Sequence, residues 1–157
     1  IGRLNSVKNL DALISIFNCL NEHQLTIVGS GKERESLKKI ANKNINFINS
    51  IKNMDIYKIF NINDFLILPS LIEPWGLVVD EALYFTTPVI ISKNCGAKDL
   101  IKNGVNGYVV DPLDTKGIEK IIKNINIPKY RNLKKGLKSN DINIKDRLQI
   151  QSYCNAL

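Results

Sequence analysis

With 157 residues, 44% of them hydrophobic, the chain can bury one sizeable core and does not have the composition of a disordered tail or a disulfide-stapled miniature. No stretch approaches the roughly 20 uninterrupted apolar residues of a membrane-spanning helix. The net charge of +7 favours phosphate-rich ligands or anionic membrane surfaces, and nucleic acid is set aside because no aromatics interleave with the scattered lysines.

Ile1-Gly2-Arg3-Leu4 reads as part of a strand, so the sequence is expected to be a domain excised from a longer protein, with no signal peptide. Leu10, Leu13, Ile14, Phe17 and Leu20 recur at helical spacing. Leu25 to Val28 is a buried-strand run closed by Gly29-Ser30-Gly31. A charged helix follows from about Lys32 to Asn42, with Leu37, Ile40 and Ala41 expected to face inward. Ile45 to Ile48 reads as a strand, and Asn53 is placed to cap a short helix through Phe60.

Phe65 to Leu68 is a strongly apolar strand ended by Pro69-Ser70, and a helix is expected from Gly76 to Tyr84. Val89 to Ile91 and Tyr108 to Val110 are further strands, the second preceded by a turn between Gly104 and Gly107. Asp114 is placed to cap a helix through Ile122. Beyond Asn124 the pattern weakens, with Pro128 as a breaker and two further helices expected before Leu157. Strands apolar on both faces, alternating with helices, predict an α/β Rossmann-like three-layer sandwich around a parallel sheet.

Ligands of such sheets bind beyond the carboxyl ends of the strands. Arg3 and Lys8, five residues apart at a strand end and a helix start, can converge on one diphosphate, the first as a planar fork and the second as a point charge. Gly29-Ser30-Gly31 allows close backbone approach, although alone it is an ordinary turn. In Pro69-Ser-Leu-Ile-Glu73-Pro-Trp-Gly76-Leu-Val-Val-Asp-Glu81-Ala82, the two glutamates lie eight residues apart. That spacing is poor for holding one metal ion but suits two hydroxylated rings. Between them the amides of Gly76, Leu77 and Val78 open a helix and form an anion site. The later segment Asn94 to Asp99 reads as structural punctuation. His23, the only histidine, is expected in a solvated turn, and the odd set Cys19, Cys95 and Cys154 is expected as reduced thiols with no zinc site.

The order GRL-x3-KN, IVGSG, LPS, E-x7-E within EPWGLVVDEA, TPVI and NGVNGYVVDPLD resembles the retaining family-4 (group 1) glycosyltransferases of GT-B architecture, over roughly residues 1–124. The resemblance implies that residues 1–157 are the C-terminal donor-binding domain, with about 1–124 as its core and 125–157 as closing helices. The N-terminal acceptor domain is then absent from this sequence. It further implies transfer of a hexose, with retention, from a nucleotide-diphosphate sugar (a UDP- or GDP-sugar) to a glycan or lipid-linked acceptor.

In the roles the resemblance implies, Arg3 and Lys8 grip the donor diphosphate and Glu73 accepts from sugar hydroxyls. Gly76, Leu77 and Val78 offer amides to sugar and phosphate, and Glu81 holds the ribose. Backbone at Ser50 and Ile51 meets the base, and Gly29 lets the nucleotide lie close. No metal and no resident cofactor are implied. Asn49 and Thr86 stand where the family usually has glycine, Asp99 where it usually has Glu, and Trp75 where it usually has Phe.

The resemblance and the basic last third (Lys129, Arg131, Lys134, Lys135, Lys138) imply a cytoplasmic protein of polysaccharide or lipopolysaccharide biosynthesis, peripheral to the inner face of the plasma membrane. The fragment is expected to bind nucleotide with little transferase activity of its own. The alternatives are a GT-B-type sugar-nucleotide epimerase and a sugar-nucleotide-binding module without catalysis. A receiver-type signalling domain is discounted, because Asp64 opens a strand rather than ending one.

Overall fold

The structure, a computed structural model of the protein, describes residues 1–139. Strands β1 (Leu25–Val28), β2 (Ile45–Ile48), β3 (Leu66–Leu68), β4 (Val89–Ser92) and β5 (Gly107–Val110) alternate with helices. The helices are α1 (Leu10–Asn18), α2 (Arg34–Ile40), α3 (Ile56–Ile62), α4 (Leu77–Tyr84), α5 (Thr115–Asn124) and α6 (Ile127–Ser139).

Every strand pair is parallel. β1 lies beside β2 with Leu25 opposite Ile45, and β4 lies between β3 and β5 with Val89 opposite Leu66 and Gly107. Among the described residues these make two sheets, β1-β2 and β3-β4-β5. The opening segment is not a regular strand. It runs extended beside the end of β1, with the Gly2 and Leu4 amides each donating at 2.9 Å to the carbonyls of Val28 and Ser30.

β4 explains the layering. All four of its residues are buried, and successive side chains of a strand point to opposite faces. Ile90 joins a core built from Leu13, Ile14 and Phe17 of α1, Ile27 of β1 and Ile118 and Ile122 of α5. Val89 and Ile91 join a second core with Phe60 of α3, Leu68 of β3 and Val79, Ala82 and Leu83 of α4. Helices therefore cover both faces, as the doubly apolar strands predict. Truncating Ile91, which is 0% exposed, to Ala is expected to cost about 2–5 kcal/mol.

Several local expectations change. Ile40, at the last turn of α2, is 47% exposed, because the helix ends before it can turn that residue inward; only Leu37 is buried in α2. Asn53 caps nothing: it lies inside a 3-10 turn, Asn53–Asp55, that leads into α3. Pro128 does not break structure but sits in the first turn of α6, where its missing N–H costs no helical hydrogen bond. His23 is half-buried rather than solvated, with its Nδ1 shielded and unpartnered. Asp114 does cap α5, accepting from the Gly117 amide at 2.9 Å. The last expected helix, Cys154 and the closing residues lie outside the described residues.

Candidate functional site at the strand ends

The site is assembled from three backbone devices. The first is the crossing of the opening segment over the end of β1. A Cβ on Gly29 would lie 1.8 Å from the Gly2 carbonyl oxygen, and one on Gly31 would lie 2.2 Å from that of Leu4. Only glycine allows this approach, so the Gly-Ser-Gly turn is a steric requirement. The Gly29 amide also donates to the Ile48 carbonyl at 3.0 Å, which brings the loop after β2 alongside. There the Ser50 and Ser30 hydroxyls meet at 3.0 Å.

The second device presents Lys8. A 3-10 turn, Ser6–Lys8, ends at Asn9, whose φ of 54° is left-handed, a conformation that asparagine tolerates better than most residues. The Asn9 side chain is buried and donates from Nδ2 to the Pro112 carbonyl at 2.9 Å. This fixed corner starts α1 and turns Lys8 toward the loop after β3. The Leu71 amide donates to the Val7 carbonyl at 2.8 Å and joins that loop to the corner.

The third device is the loop Pro69–Gly76. Lys8 Nζ forms an ion pair with Glu73 Oε2, and both side chains are largely shielded. The Ser70 hydroxyl stands 3.5 Å from the same oxygen. Gly76, at φ 94° in the left-handed region, is the N-cap of α4; a Cβ there would meet Cys95 Sγ at 2.9 Å and Glu73 Cγ at 3.3 Å. No side chain caps α4, and the amides of Gly76, Leu77 and Val78 donate to no backbone carbonyl among the described residues. The positive end of the helix is thus open beside the Lys8–Glu73 pair.

Glu81 sits half-buried in the second turn of α4. Burial, and then the neighbouring Asp80 charge, hold its carboxyl above the ordinary value of 4.5. Arg3 is exposed, with no hydrogen bond or ion pair among the described residues. Lys8, Glu73 and Gly76 are therefore in contact, and Gly29 lies beside the Ser30–Ser50 pair. Ile51 is half-buried against the second core. Lys8 is engaged by Glu73. No three His, Cys, Asp or Glu side chains converge among the described residues.

Sequence reasoning missed three supports. Cys95-Gly96-Ala97, read as punctuation, grips the Glu73 loop. The Gly96 amide donates to Glu73 O and the Ala97 amide to Trp75 O, each at 3.0 Å, and the Cys95 thiol donates to Trp75 O at 2.8 Å. A Cβ on Gly96 would lie 2.1 Å from the Pro74 carbonyl, so glycine is required there too. Burial raises the pKa of the Cys95 thiol, which keeps it a neutral donor. Asp80 accepts from Trp75 Nε1 at 2.7 Å. Arg34, at the start of α2, reaches the strand-end carbonyls of Gly29 and Ile48. A cleft of about 930 Å³ between β1 and β3 reaches Gly2, Arg3 and Lys8, but it is not lined by Glu73, Gly76 or Glu81.

The sequence and the fold resemble those of known proteins. An uncharacterized glycosyltransferase of Methanocaldococcus jannaschii is 31% identical over 126 residues, 75% of this chain and 32% of that protein. One from Haemophilus influenzae is 31% identical over 160 residues, 92% of this chain and 44% of that protein. The chain thus spans less than half the length of these curated relatives. The fold matches that of Anabaena Alr3699/HepE, solved in complex with UDP, with a TM-score of 0.81 at 22% identity, covering 100% of this chain and 48% of that one. The expected α/β fold of one GT-B half is therefore met. Residues 1–139 match the family described as glycosyl transferases group 1, and the chain belongs to that family.

Proposed function

We propose that this chain is the donor-binding half of a retaining hexosyltransferase, with the acceptor-binding domain outside the sequence. The observation that carries the reading is the contact of Lys8, Glu73 and the open N-terminus of α4, with the Gly29–Ser30 and Ser50 turns at the neighbouring strand ends. The donor is a nucleotide-diphosphate sugar, and a UDP-sugar is favoured because the structurally similar Alr3699/HepE has been solved with UDP and with UDP-glucose.

In this reading the diphosphate lies against the amides of Gly76, Leu77 and Val78, with Lys8 and Arg3 closing on it. The hexose hydroxyls donate to Glu73 and the ribose hydroxyls to Glu81. The base rests on the backbone at Ser50 and Ile51, and Gly29 leaves room for the nucleotide. The bond from the sugar C1 to the diphosphate oxygen breaks, and a bond from C1 to an acceptor hydroxyl oxygen forms on the same face. The acceptor proton leaves with the diphosphate. Fixed cations and amide dipoles stabilise the charge that builds on the leaving group, and no resident metal takes part.

The acceptor is a glycan or lipid-linked glycan of surface polysaccharide or lipopolysaccharide assembly. The cationic helices α5 and α6 face an anionic membrane on its cytoplasmic side, with no helix among the described residues long and apolar enough to cross it. Calorimetric titration with UDP, GDP and ADP tests the reading. Selective binding of UDP or GDP, lost in Arg3→Ala and Glu81→Ala, is expected. Equal binding of all three, or binding untouched by both substitutions, rejects the site.

A further inference from the structure

We infer that Arg34 is a positioning residue for the base end of the donor site, which rests on the nucleotide reading above. Arg34 opens α2, and its Nη1 donates to the carbonyl oxygens of Gly29 at 2.8 Å and Ile48 at 3.2 Å. Ile48 ends β2, and Gly29 directly follows β1. The Ile48 oxygen already accepts from the Gly29 amide at 3.0 Å, so one carbonyl gathers both donors and one guanidinium spans both strand ends. The guanidinium carbon lies 5.8 Å from the centre of the Phe47 ring, a cation–π distance that fixes the fork from a third side.

Ser30 and Ser50 follow the two bound carbonyls by one and two residues, and their hydroxyls meet at 3.0 Å. Arg34 has no carboxylate partner among the described residues, so its charge is spent on the strand-end carbonyls. Lysine reproduces this only in part, since its ammonium can donate to the carbonyls but has no plane to lay against the Phe47 ring. Among the described residues Arg34 forms no hydrogen bond or ion pair with Arg3, Lys8, Glu73 or the α4 amides. Its influence is therefore confined to the end of the site where the base rests, away from the diphosphate.

That separation sets the test on the full 157-residue chain. UDP and inorganic pyrophosphate are titrated into the unaltered protein, Arg34→Lys and Arg34→Ala, with thermal unfolding followed in parallel. Losing charge-assisted hydrogen bonds that hold the base loops is expected to weaken UDP about tenfold in Arg34→Ala. Pyrophosphate affinity is expected to stay unchanged, and Arg34→Lys to fall between. Unchanged UDP affinity in Arg34→Ala, or a parallel loss of UDP and pyrophosphate in both variants, overturns the inference and leaves the donor reading standing. An unaltered protein that binds pyrophosphate but no UDP overturns the donor reading and this inference with it.

Discussion

Lys8 and Glu73, 65 residues apart in sequence, meet as an ion pair beside the open N-terminus of α4. Each is therefore occupied by the other until a ligand supplies a better partner. In the proposed donor site, a diphosphate would have to draw Lys8 away and a sugar hydroxyl to replace it at Glu73.

Glu73→Gln separates these two steps. The amide cannot hold the ammonium as an ion pair, so Lys8 is released to phosphate. A partly shielded pair of this kind contributes up to about 1 kcal/mol. UDP alone is therefore expected to bind about two- to fivefold tighter in the variant, while UDP-glucose loses affinity relative to UDP. Calorimetry with both ligands checks this, and tighter binding of both or of neither contradicts the exchange of partners.

Trp75 is the only tryptophan, and its indole is tethered to Asp80 while 47% exposed. Its fluorescence therefore reports on this site alone. Asp80→Ala is expected to free the ring, red-shift its emission and raise its quenching by acrylamide. The cost in stability should be about 1 kcal/mol, as for one lost hydrogen bond. Identical spectra and quenching in the variant would show that the tether does not hold the ring in solution.

The glycine turns make a graded prediction in urea unfolding. Gly29→Ala must push the Gly2 carbonyl aside and is expected to destabilise by more than about 2 kcal/mol. Gly104 also has positive φ, at 74°, but a Cβ there meets nothing within 4 Å. Gly104→Ala should show backbone strain only, roughly 1–2 kcal/mol. A reversed order of the two midpoints refutes the steric account.

Glu81 supplies a pH dependence. Its carboxyl is raised by burial first and Asp80 second, so the folded chain keeps that proton at pH values where the unfolded chain has released it. Stability contributed by the protonated form is lost as pH rises from the unfolded value through the folded one. If, as proposed, ribose hydroxyls donate to the ionised form, UDP affinity should fall as pH drops through the same raised value. Affinities measured from neutral to mildly acidic pH in the unaltered protein and in Glu81→Gln check this. The step should vanish in the variant, and its persistence would place the titration elsewhere.

The sequence reveals elements better than it reveals the contacts between them. The buried strands follow from runs such as Val89-Ile90-Ile91, which no amphipathic helix explains, and the start of α4 follows from Gly76 after Pro74. Ile40 and Asn53 mislead because helix ends depend on tertiary crowding, which a periodic pattern does not record. Within the site, residue types and spacing pointed to Lys8 and Glu73 but not to their pairing, which needs the left-handed corner at Asn9 and the Leu71–Val7 bond. Cys95-Gly96-Ala97 stayed hidden for the same reason. Its role lies in backbone amides aimed at Glu73 and Trp75, and amides are common to every sequence. One signal was available for Gly96, since a glycine after a fully buried strand marks close backbone approach.

Elements packed on both cores supply the site. Lys8 and Gly29 stand on elements packed around one of them, while Glu73 to Glu81 belong to the other. A ligand there touches elements from both faces of the strand layer, and by mass action its binding energy becomes resistance of the whole chain to heat. At a hundredfold excess over its dissociation constant, a donor adds about 2.7 kcal/mol to the unfolding free energy. Melting temperature then serves as a readout for the nucleotide the site prefers, in a chain that needs no acceptor to report it.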